Sequence, residues 1–225
     1  MSSNNVVLPV LGKINSIFDY VLDEKGKPNG MTRDQISIEF KKPVVTAKFD
    51  GTCCYINNGQ IYARQDVKHD ISNAPTGWFQ TSEKDKGGHI IGFRPLGHGD
   101  KWHFKPINGE NCVFLEYDVE AKEFFYVTRP ISDFNGKTVE LVGPSVNGNK
   151  HKLKQNAYII HGSVLVDAPW TCHAALKEWL VTDGKIYEGI VIHDIGNNTI
   201  SKCHRGHLGG SHTWKSPVPL PMRQD

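Results

Sequence analysis

The clearest hydrophobic run in this chain precedes a lysine and a tight turn. Residues 43–47 are apolar and β-branched and predict a buried strand. Lys48 follows this run, and Asp50 and Gly51 predict a turn, because glycine accepts backbone angles that other residues avoid. Residues 53–56 predict a second strand. The pattern therefore places a lysine at the rim of a sheet, beside a hairpin turn.

The remaining pattern is dominated by short runs with strand character. Further strands are predicted at residues 6–10, 36–40, 60–63, 90–93, 102–104, 112–119, 123–127, 138–142, 158–161, 188–193 and 199–204. Residues 14–22 fit a helix or a short strand, and residues 69–88 and 143–149 predict loops. The clearest helix spans residues 171–180, with Thr171 as its candidate N-cap. The prediction is an α+β fold built of antiparallel sheets.

Composition narrows the class of protein. The chain has 225 residues and is 38% hydrophobic, which is enough to bury a core for one large domain or two small ones. No run approaches the roughly 18 apolar residues of a membrane helix, and the N-terminus lacks the pattern of a secretory signal. The 5 cysteines, two of them adjacent, do not fit a disulfide framework. We therefore expect an intracellular, cytoplasmic protein.

Charge limits how the chain could bind nucleic acid. The sequence has 26 basic and 24 acidic side chains, for a formal net charge of +2. Such a balance provides no broad basic surface, so any contact with a polyanion must be local.

Several ionisable residues stand where they could do chemistry. A lysine shielded from water can have a lowered pKa, and its neutral amine is a nucleophile. Glu140 and Glu188 each adjoin apolar strand residues, where an unpaired carboxylate is costly, so a lysine or a hydrated Mg²⁺ is the expected partner. Taken alone, however, Lys48 and Arg64 are more typical of surface residues at strand ends, and Lys202 fits a surface residue and a functional residue equally well.

The order of these residues changes that balance. The chain contains Lys48-Phe-Asp-Gly-Thr, then Arg64, Glu140-Leu-Val-Gly, Glu188-Gly-Ile-Val-Ile-His and Lys202. This series resembles the covalent nucleotidyltransferase superfamily of ATP-dependent ligases and capping enzymes. These motifs are similar to those of the 5′-to-3′ RNA ligase 1 family of vertebrates, and the similarity covers residues 43–215. The resemblance implies an antiparallel-sheet nucleotidyltransferase domain of the ATP-grasp-like, adenylating type.

The resemblance also implies roles. Lys48 would take AMP from ATP. Lys202, Arg205 and a bound Mg²⁺ or Mn²⁺ would neutralise the phosphates. Glu188 would act on the metal or the nucleophile, and Glu140 on the ribose 2′-hydroxyl. The implied nucleotide-binding residues are Lys48, Asp50, Gly51, Arg64, Glu140, Glu188 and Lys202. The substrate would be RNA with 5′-phosphate and 3′-hydroxyl ends, contacted by Arg64 and Arg205.

Alternatives remain at this stage. We expect an N-terminal arm at residues 1–42, the catalytic domain at 43–215 and a tail at 216–225. The chain stops soon after Lys202, which leaves no room for the oligonucleotide-binding domain of DNA ligases and capping enzymes. The rivals are a minimal DNA ligase, a nucleotidyltransferase using GTP, and a degenerate protein that only binds nucleic-acid ends. A zinc site formed by His193, Cys203, His204 and His207 is disfavoured by its irregular spacing.

Overall fold

The fold consists of two compact units. The computed structural model describes residues 8–36, 38–210 and 214–224. The first unit is formed mainly by Ile14–Phe49 and Gly162–Pro219, and the second mainly by Asp50–His161 with Pro9–Lys13. The chain passes from the first unit to the second directly after Phe49. The predicted arm, domain and tail boundaries stay predictions.

Strands make up most of the regular structure. In chain order they are β1 (Asn15–Ser16), β2 (Phe18–Leu22), β3 (Pro28–Ile36), β4 (Pro43–Lys48), β5 (Thr52–Asn57), β6 (Gln60–Lys68), β7 (Phe79–Gln80), β8 (His89–Pro95), β9 (Ile107–Asn108), β10 (Asn111–Asp118), β11 (Glu123–Pro130), β12 (Thr138–Val142), β13 (Ala157–Ile160), β14 (Gly189–Asp194) and β15 (Thr199–His204). The helices are α1 (Lys101–Phe104) and α2 (His173–Val181), and 3₁₀ turns occupy Ile71–Asn73, Ile131–Phe134 and Arg205–Leu208.

The first unit is built on a four-stranded sheet in the order β1-β15-β14-β4. Strand β14 is antiparallel to both of its neighbours, and β2 pairs with β3 in a separate hairpin. Every residue of β14 is buried, as its continuous apolar run requires. Leu176 and Leu180 of α2 pack with Ile190 and Ile192 of this strand in one core cluster. The sheet thereby fixes β4 and β15 on either side of β14.

The second unit is built on a nine-stranded sheet. Its main order is β11-β10-β13-β12-β5-β6-β8-β7, and β9 pairs with β10. Alternation along the strands sends one set of side chains into an apolar core, which includes Cys54, Phe114, Leu141 and Tyr158. The other set, which contains Glu140, lies on the opposite face. By the same alternation, Cys54 is buried in this core, whereas Cys53 lies on the opposite face and is partly exposed.

Much of the predicted pattern is confirmed. The chain is rich in strands and has few helices, as expected. The strands predicted at residues 43–47, 53–56, 138–142 and 199–204 are present, and the two strands predicted between 112 and 127 form the β10–β11 hairpin. All 5 cysteines are free thiols, and no helix among the described residues is long and apolar enough to span a membrane. A nucleotidyltransferase fold as such stays a prediction.

Some predicted elements were wrong. Residues 102–104 form helix α1 rather than a strand, since the Asp100 side chain binds the Gly97 N–H at 2.7 Å and the Arg94 guanidinium, which anchors the turn. Strand β3 ends at Ile36, and residues 38–40 do not continue it. Residues 6, 7 and 37 lie outside the described residues, and 8–10 are not a strand. The N-cap of α2 is Cys172, not Thr171.

Candidate functional site

Lys48 ends strand β4 opposite a glycine. Its register partner on β14 is Gly189, which is also opposite His204 of β15. A Cβ atom on Gly189 would lie 2.2 Å from the carbonyl oxygen of Cys203. A larger residue would therefore push the strands apart, and glycine lets β14 begin between the two lysine-bearing strands.

Glu188 contacts Lys48 directly. The Lys48 Nζ donates to Glu188 Oε2, and the Glu188 backbone N–H donates to the Lys48 carbonyl oxygen at 3.0 Å. The two side chains are 23% and 20% exposed. This exposure leaves a route for a dissolved substrate, while the backbone bond fixes the carboxylate beside the ammonium. The two residues that the sequence predicts as nucleophile and partner carboxylate are thus brought together.

Lys202 lies on the same face of the sheet as Lys48. Val191 of β14 is opposite Lys202 on β15 and Thr46 on β4, and it lies two residues beyond Gly189. Directly opposed residues in antiparallel strands share a face, and so do residues two apart along a strand. Two cationic side chains therefore project from one face of the first unit, which is suited to an anionic ligand.

Arg205 is engaged with backbone carbonyls. Its guanidinium donates to the carbonyl oxygens of Tyr187 at 3.1 Å, Gly184 at 3.2 Å and Leu180. Its guanidinium carbon also lies 4.9 Å from the Trp214 ring centroid. Burial lowers the pKa of Arg205. These contacts give the residue a structural role, and its predicted contact with RNA stays a prediction.

In the second unit, one loop holds the turn of the lysine motif. The Asp50 N–H donates to His151 Nε2 at 2.9 Å, so this nitrogen carries the lone pair. The Asn147 side chain donates to the Asp50 carboxylate at 2.7 Å and to the Gly51 carbonyl at 2.9 Å. Lys150 lies 3.5 Å from the same carboxylate. Asp50 therefore organises its turn through contacts with a distant loop.

Glu140 belongs to a group of three potential ligands. It is opposite Cys53 in the β12–β5 pair, and its Oε2 atom lies 2.8 Å from His161 Nε2. Among the described residues, Cys53, Glu140 and His161 are the group whose ligand atoms converge, within 4.8 Å of one another. It shares no residue with the zinc site of His193, Cys203, His204 and His207 that was considered from the sequence. Its most evident effect is to orient the Glu140 carboxylate.

Arg64 is paired with an acidic neighbour on its own strand. Its Nε and one terminal nitrogen donate to the two carboxylate oxygens of Asp66 at 2.9 and 3.1 Å. Burial alone would lower the pKa of Arg64, but the hydrogen bond and charge of Asp66 outweigh burial and raise it. Arg64 is a permanent cation whose direction is set by Asp66.

Sequence reasoning missed three residues of this arrangement, which are Asn147, His151 and His161. Asn147 lies in the loop predicted at residues 143–149, and His151 lies two residues beyond it, but their contacts with Asp50 have no local signal in the sequence. His161 is the last residue of the strand predicted at 158–161 and directly follows the observed strand β13. Its pairing with Glu140 depends on β13 lying beside β12, which the sequence does not display.

Within the first unit, Lys48 and Glu188 form an ion pair and Lys202 lies on the same face of the sheet. Within the second unit, His161 orients the Glu140 carboxylate. A family model of RNA ligase 1 matches residues 67–219, which includes Glu140, Glu188 and Lys202 and begins after Lys48 and Arg64.

Curated relatives agree with this match. The chain is 32% identical to RNA ligase 1 of Mus musculus over 222 aligned residues, covering 74% of this chain and 67% of that protein. It is 31% identical to RNA ligase 1 of Rattus norvegicus over 222 residues, with the same coverage, and 27% identical to that of Danio rerio over 218 residues, covering 73% and 66%. The chain belongs to the RNA ligase 1 family. The family expected from the motifs is thereby confirmed, and with it a ligase function.

Proposed function

We propose that this chain is an ATP-dependent 5′-to-3′ RNA ligase that joins 5′-phosphate and 3′-hydroxyl ends through lysyl-AMP and RNA-adenylate. The observation that carries the proposal is the contact between Lys48 and Glu188 in a chain of the RNA ligase 1 family. A partly exposed lysine with a carboxylate fixed beside its amine has the groups that an activated nucleophile needs.

The first step would form a bond between Lys48 Nζ and the α-phosphorus of ATP. The phosphorus–oxygen bond to pyrophosphate breaks in this step, and pyrophosphate leaves. The ammonium must lose a proton before it attacks, and Glu188 is in contact with the nitrogen to accept it. Lys202, on the same face, is suited to hold the phosphate oxygens, where negative charge develops.

Glu188 also fits a role in holding Mg²⁺ or Mn²⁺. Such hard cations prefer oxygen ligands, and Mg²⁺ commonly binds through one or two carboxylates, several waters and substrate phosphates. A single carboxylate that is 20% exposed fits such a hydrated ion. The group of Cys53, Glu140 and His161 offers sulfur and nitrogen, which suit softer metals. The ion would supply additional positive charge at the phosphates.

The next two steps would consume the lysyl-AMP. The 5′-phosphate of RNA attacks the AMP phosphorus, breaking its bond to nitrogen and returning the amine to Lys48. The RNA 3′-hydroxyl then attacks the activated 5′-phosphate, forming the phosphodiester and releasing AMP. In this scheme Glu140 accepts a hydrogen bond from the ribose 2′-hydroxyl of the nucleotide, and Arg64 and Arg205 contact RNA or ribose.

Intact-mass measurement tests the first step. The wild-type chain incubated with ATP and Mg²⁺ should gain the mass of one adenylyl group, and peptide mapping should place it on Lys48. Lys48→Ala should fold and remain unlabelled, whereas the exposed control Lys185→Ala should be labelled like the wild type. Label retained in Lys48→Ala would contradict the assignment.

The later steps separate the rival functions. Preformed enzyme-AMP should be discharged by 5′-phosphate RNA and retain its label with 5′-hydroxyl RNA. Equal discharge and sealing with all-DNA ends would identify a DNA ligase, and labelling by GTP in preference to ATP would identify a different nucleotidyltransferase. No labelling and no discharge would identify a protein that only binds ends.

A further inference from the structure

A short exposed segment in the second unit combines two aromatic rings and two lysines. Trp102 and Phe104 are 40% and 46% exposed. The ammonium groups of Lys101 and Lys105 lie 4.5 and 4.6 Å from the centroid of the Trp102 ring. We call these four residues the tryptophan platform. An exposed aromatic ring beside two cations is suited to a ligand that is both planar and anionic.

The platform is held by the body of the unit. The Tyr158 hydroxyl donates to the carbonyl oxygen of His103 at 2.9 Å, and the Asn156 side chain donates to that of Trp102 at 3.2 Å. Asp100, immediately before the segment, receives two bonds from Arg94 at 2.6 and 2.8 Å. The backbone is therefore fixed by internal contacts while the aromatic rings face outward, and the neighbouring carboxylate is already paired.

The platform adjoins the loop that holds the lysine motif. Lys105 Nζ donates to Ser145 Oγ at 2.8 Å. Two residues further along this loop, Asn147 donates to the Asp50 carboxylate and the Gly51 carbonyl. A ligand on the platform would thus lie beside the loop that shapes the turn after Lys48.

We propose that the tryptophan platform binds single-stranded RNA of the substrate, with a base stacked on the Trp102 ring in place of one of the two ammonium groups that lie over it, and with phosphates paired with Lys101 and Lys105. Every base has a face that can stack on an aromatic ring, and each phosphate contact adds affinity without reading sequence. This inference rests on the proposed function for the identity of the substrate. It also supplies the local basic contact that a chain with a net charge of +2 requires.

The test uses binding of a labelled, short 5′-phosphorylated RNA to the full chain over a series of salt concentrations. The variants are Lys101→Gln with Lys105→Gln, Trp102→Leu, and Trp102→Phe. The matched control, Lys25→Gln with Lys27→Gln, removes two exposed lysines from a turn of the first unit. Adenylylation by ATP without RNA is measured for every protein.

The double platform variant should reduce the slope of log affinity against log salt by about 1.4, the value for two single-strand phosphate contacts. Trp102→Leu should weaken binding about 5- to 150-fold, as expected for one lost base–aromatic stack, and Trp102→Phe should retain most of the affinity. The control pair should change neither quantity, and adenylylation should be the same in all of them.

Unchanged affinity and slope in the double lysine variant would overturn the inference, and this variant decides the matter even if Trp102→Leu does not fold. The inference would also be overturned if the platform variants changed the sedimentation of the protein without changing its affinity for RNA, because the platform would then contact protein. If the wild type bound RNA through the platform but took no AMP from ATP, the proposed function would be wrong and the inference that the platform binds RNA would still hold.

Discussion

The imidazole of His161, the residue that follows β13, lies 2.8 Å from the carboxylate of Glu140 on the neighbouring strand β12. The Glu140 residue is 9% exposed, so its carboxylate has little access to water. A nearly buried carboxylate that is proposed to accept a hydrogen bond from a substrate hydroxyl would benefit from being held in one orientation. His161 supplies that constraint.

We therefore expect His161→Ala to act through Glu140. Adenylylation with ATP should slow about 10- to 150-fold, since losing a hydrogen bond to a charged group costs about 1.5–3 kcal/mol. His161→Gln, which can still donate, should recover part of the rate. With 2′-deoxyATP the penalty should shrink, because the hydroxyl that Glu140 would bind is absent.

Rates measured for wild type and His161→Ala with both nucleotides form the complete test. Equal use of ATP and 2′-deoxyATP by the wild type would show that Glu140 does not act through the ribose. An equal penalty with both nucleotides would make His161 a residue of general structural importance.

Glu188→Gln separates the charge of the carboxylate from its shape. The amide keeps the size of the side chain but can neither accept the proton of Lys48 nor hold a divalent cation firmly. Adenylylation should therefore be suppressed at every Mg²⁺ concentration, rather than rescued by more metal. The stability change should be small, about 1 kcal/mol or less, because both partners of the pair are partly exposed.

The two effects are measured by labelling over a metal titration and by urea unfolding. Glu178→Gln, an exposed change on helix α2 of the same unit, is the control. Full labelling of Glu188→Gln at high Mg²⁺ would show that the carboxylate serves metal affinity and is dispensable for proton transfer.

The sequence predicted the parts of the site that depend on local pattern. The β-branched run before Lys48 and the apolar run after Glu188 both form strands, and their order along the chain identified the family. What local pattern could not provide is the order of strands in a sheet. Glu140 meets His161 because β13 pairs with β12, and this pairing is decided by packing across the whole unit.

Helix α1 is a second case in which the local sequence pattern does not determine the structure. Its aromatic residues have strand propensity, and the sequence predicted a strand there. In the structure, Asp100 is held by Arg94 and by the Gly97 N–H, and the chain turns instead of extending. The ion pair between Arg94 and Asp100 thus outweighs the strand propensity of the residues that follow, and Trp102 in the resulting helix is exposed.

Gly51→Ala tests the close approach of the turn to strand β12. A Cβ atom at Gly51 would lie 2.2 Å from the Leu141 carbonyl oxygen and 2.7 Å from Glu140 Cγ. The first of these is a backbone atom, which cannot move aside like a side chain. We expect the free energy of unfolding to fall by about 1–3 kcal/mol, the range for overpacking.

Adenylylation should fall as well, since the displaced strand carries Glu140. Gly99→Ala is the matched control, because an added Cβ atom would meet nothing within 4 Å there. Urea unfolding of the two variants gives the comparison, and equal stability would mean that the strands adjust without cost.

Asp194 provides a prediction for the dependence of stability on pH. Asp194 is 0% exposed. Its carboxylate accepts hydrogen bonds from the backbone N–H groups of Lys41 at 3.0 Å and Lys42 at 2.7 Å. It accepts another from the Asn197 side chain at 2.6 Å. Burial raises the pKa of Asp194, but these hydrogen bonds, with one from Gly196, outweigh it and bring the pKa below its usual 3.8. The folded state therefore favours the ionised form.

The sign of the pH effect follows from this direction. A carboxyl group whose pKa is lower in the folded state adds stability above its unfolded pKa, and this contribution is lost as pH falls through the folded value. Asp194→Asn should therefore be less stable than the wild type at neutral pH, because an amide presents one acceptor and one donor to several donors. The difference in melting temperature should narrow as pH falls below about 4. Asp183→Asn, exposed in the same unit, should show no such narrowing. A difference that stayed constant between neutral and acidic pH would mean that Asp194 stabilises the fold by its shape, with no contribution from its charge.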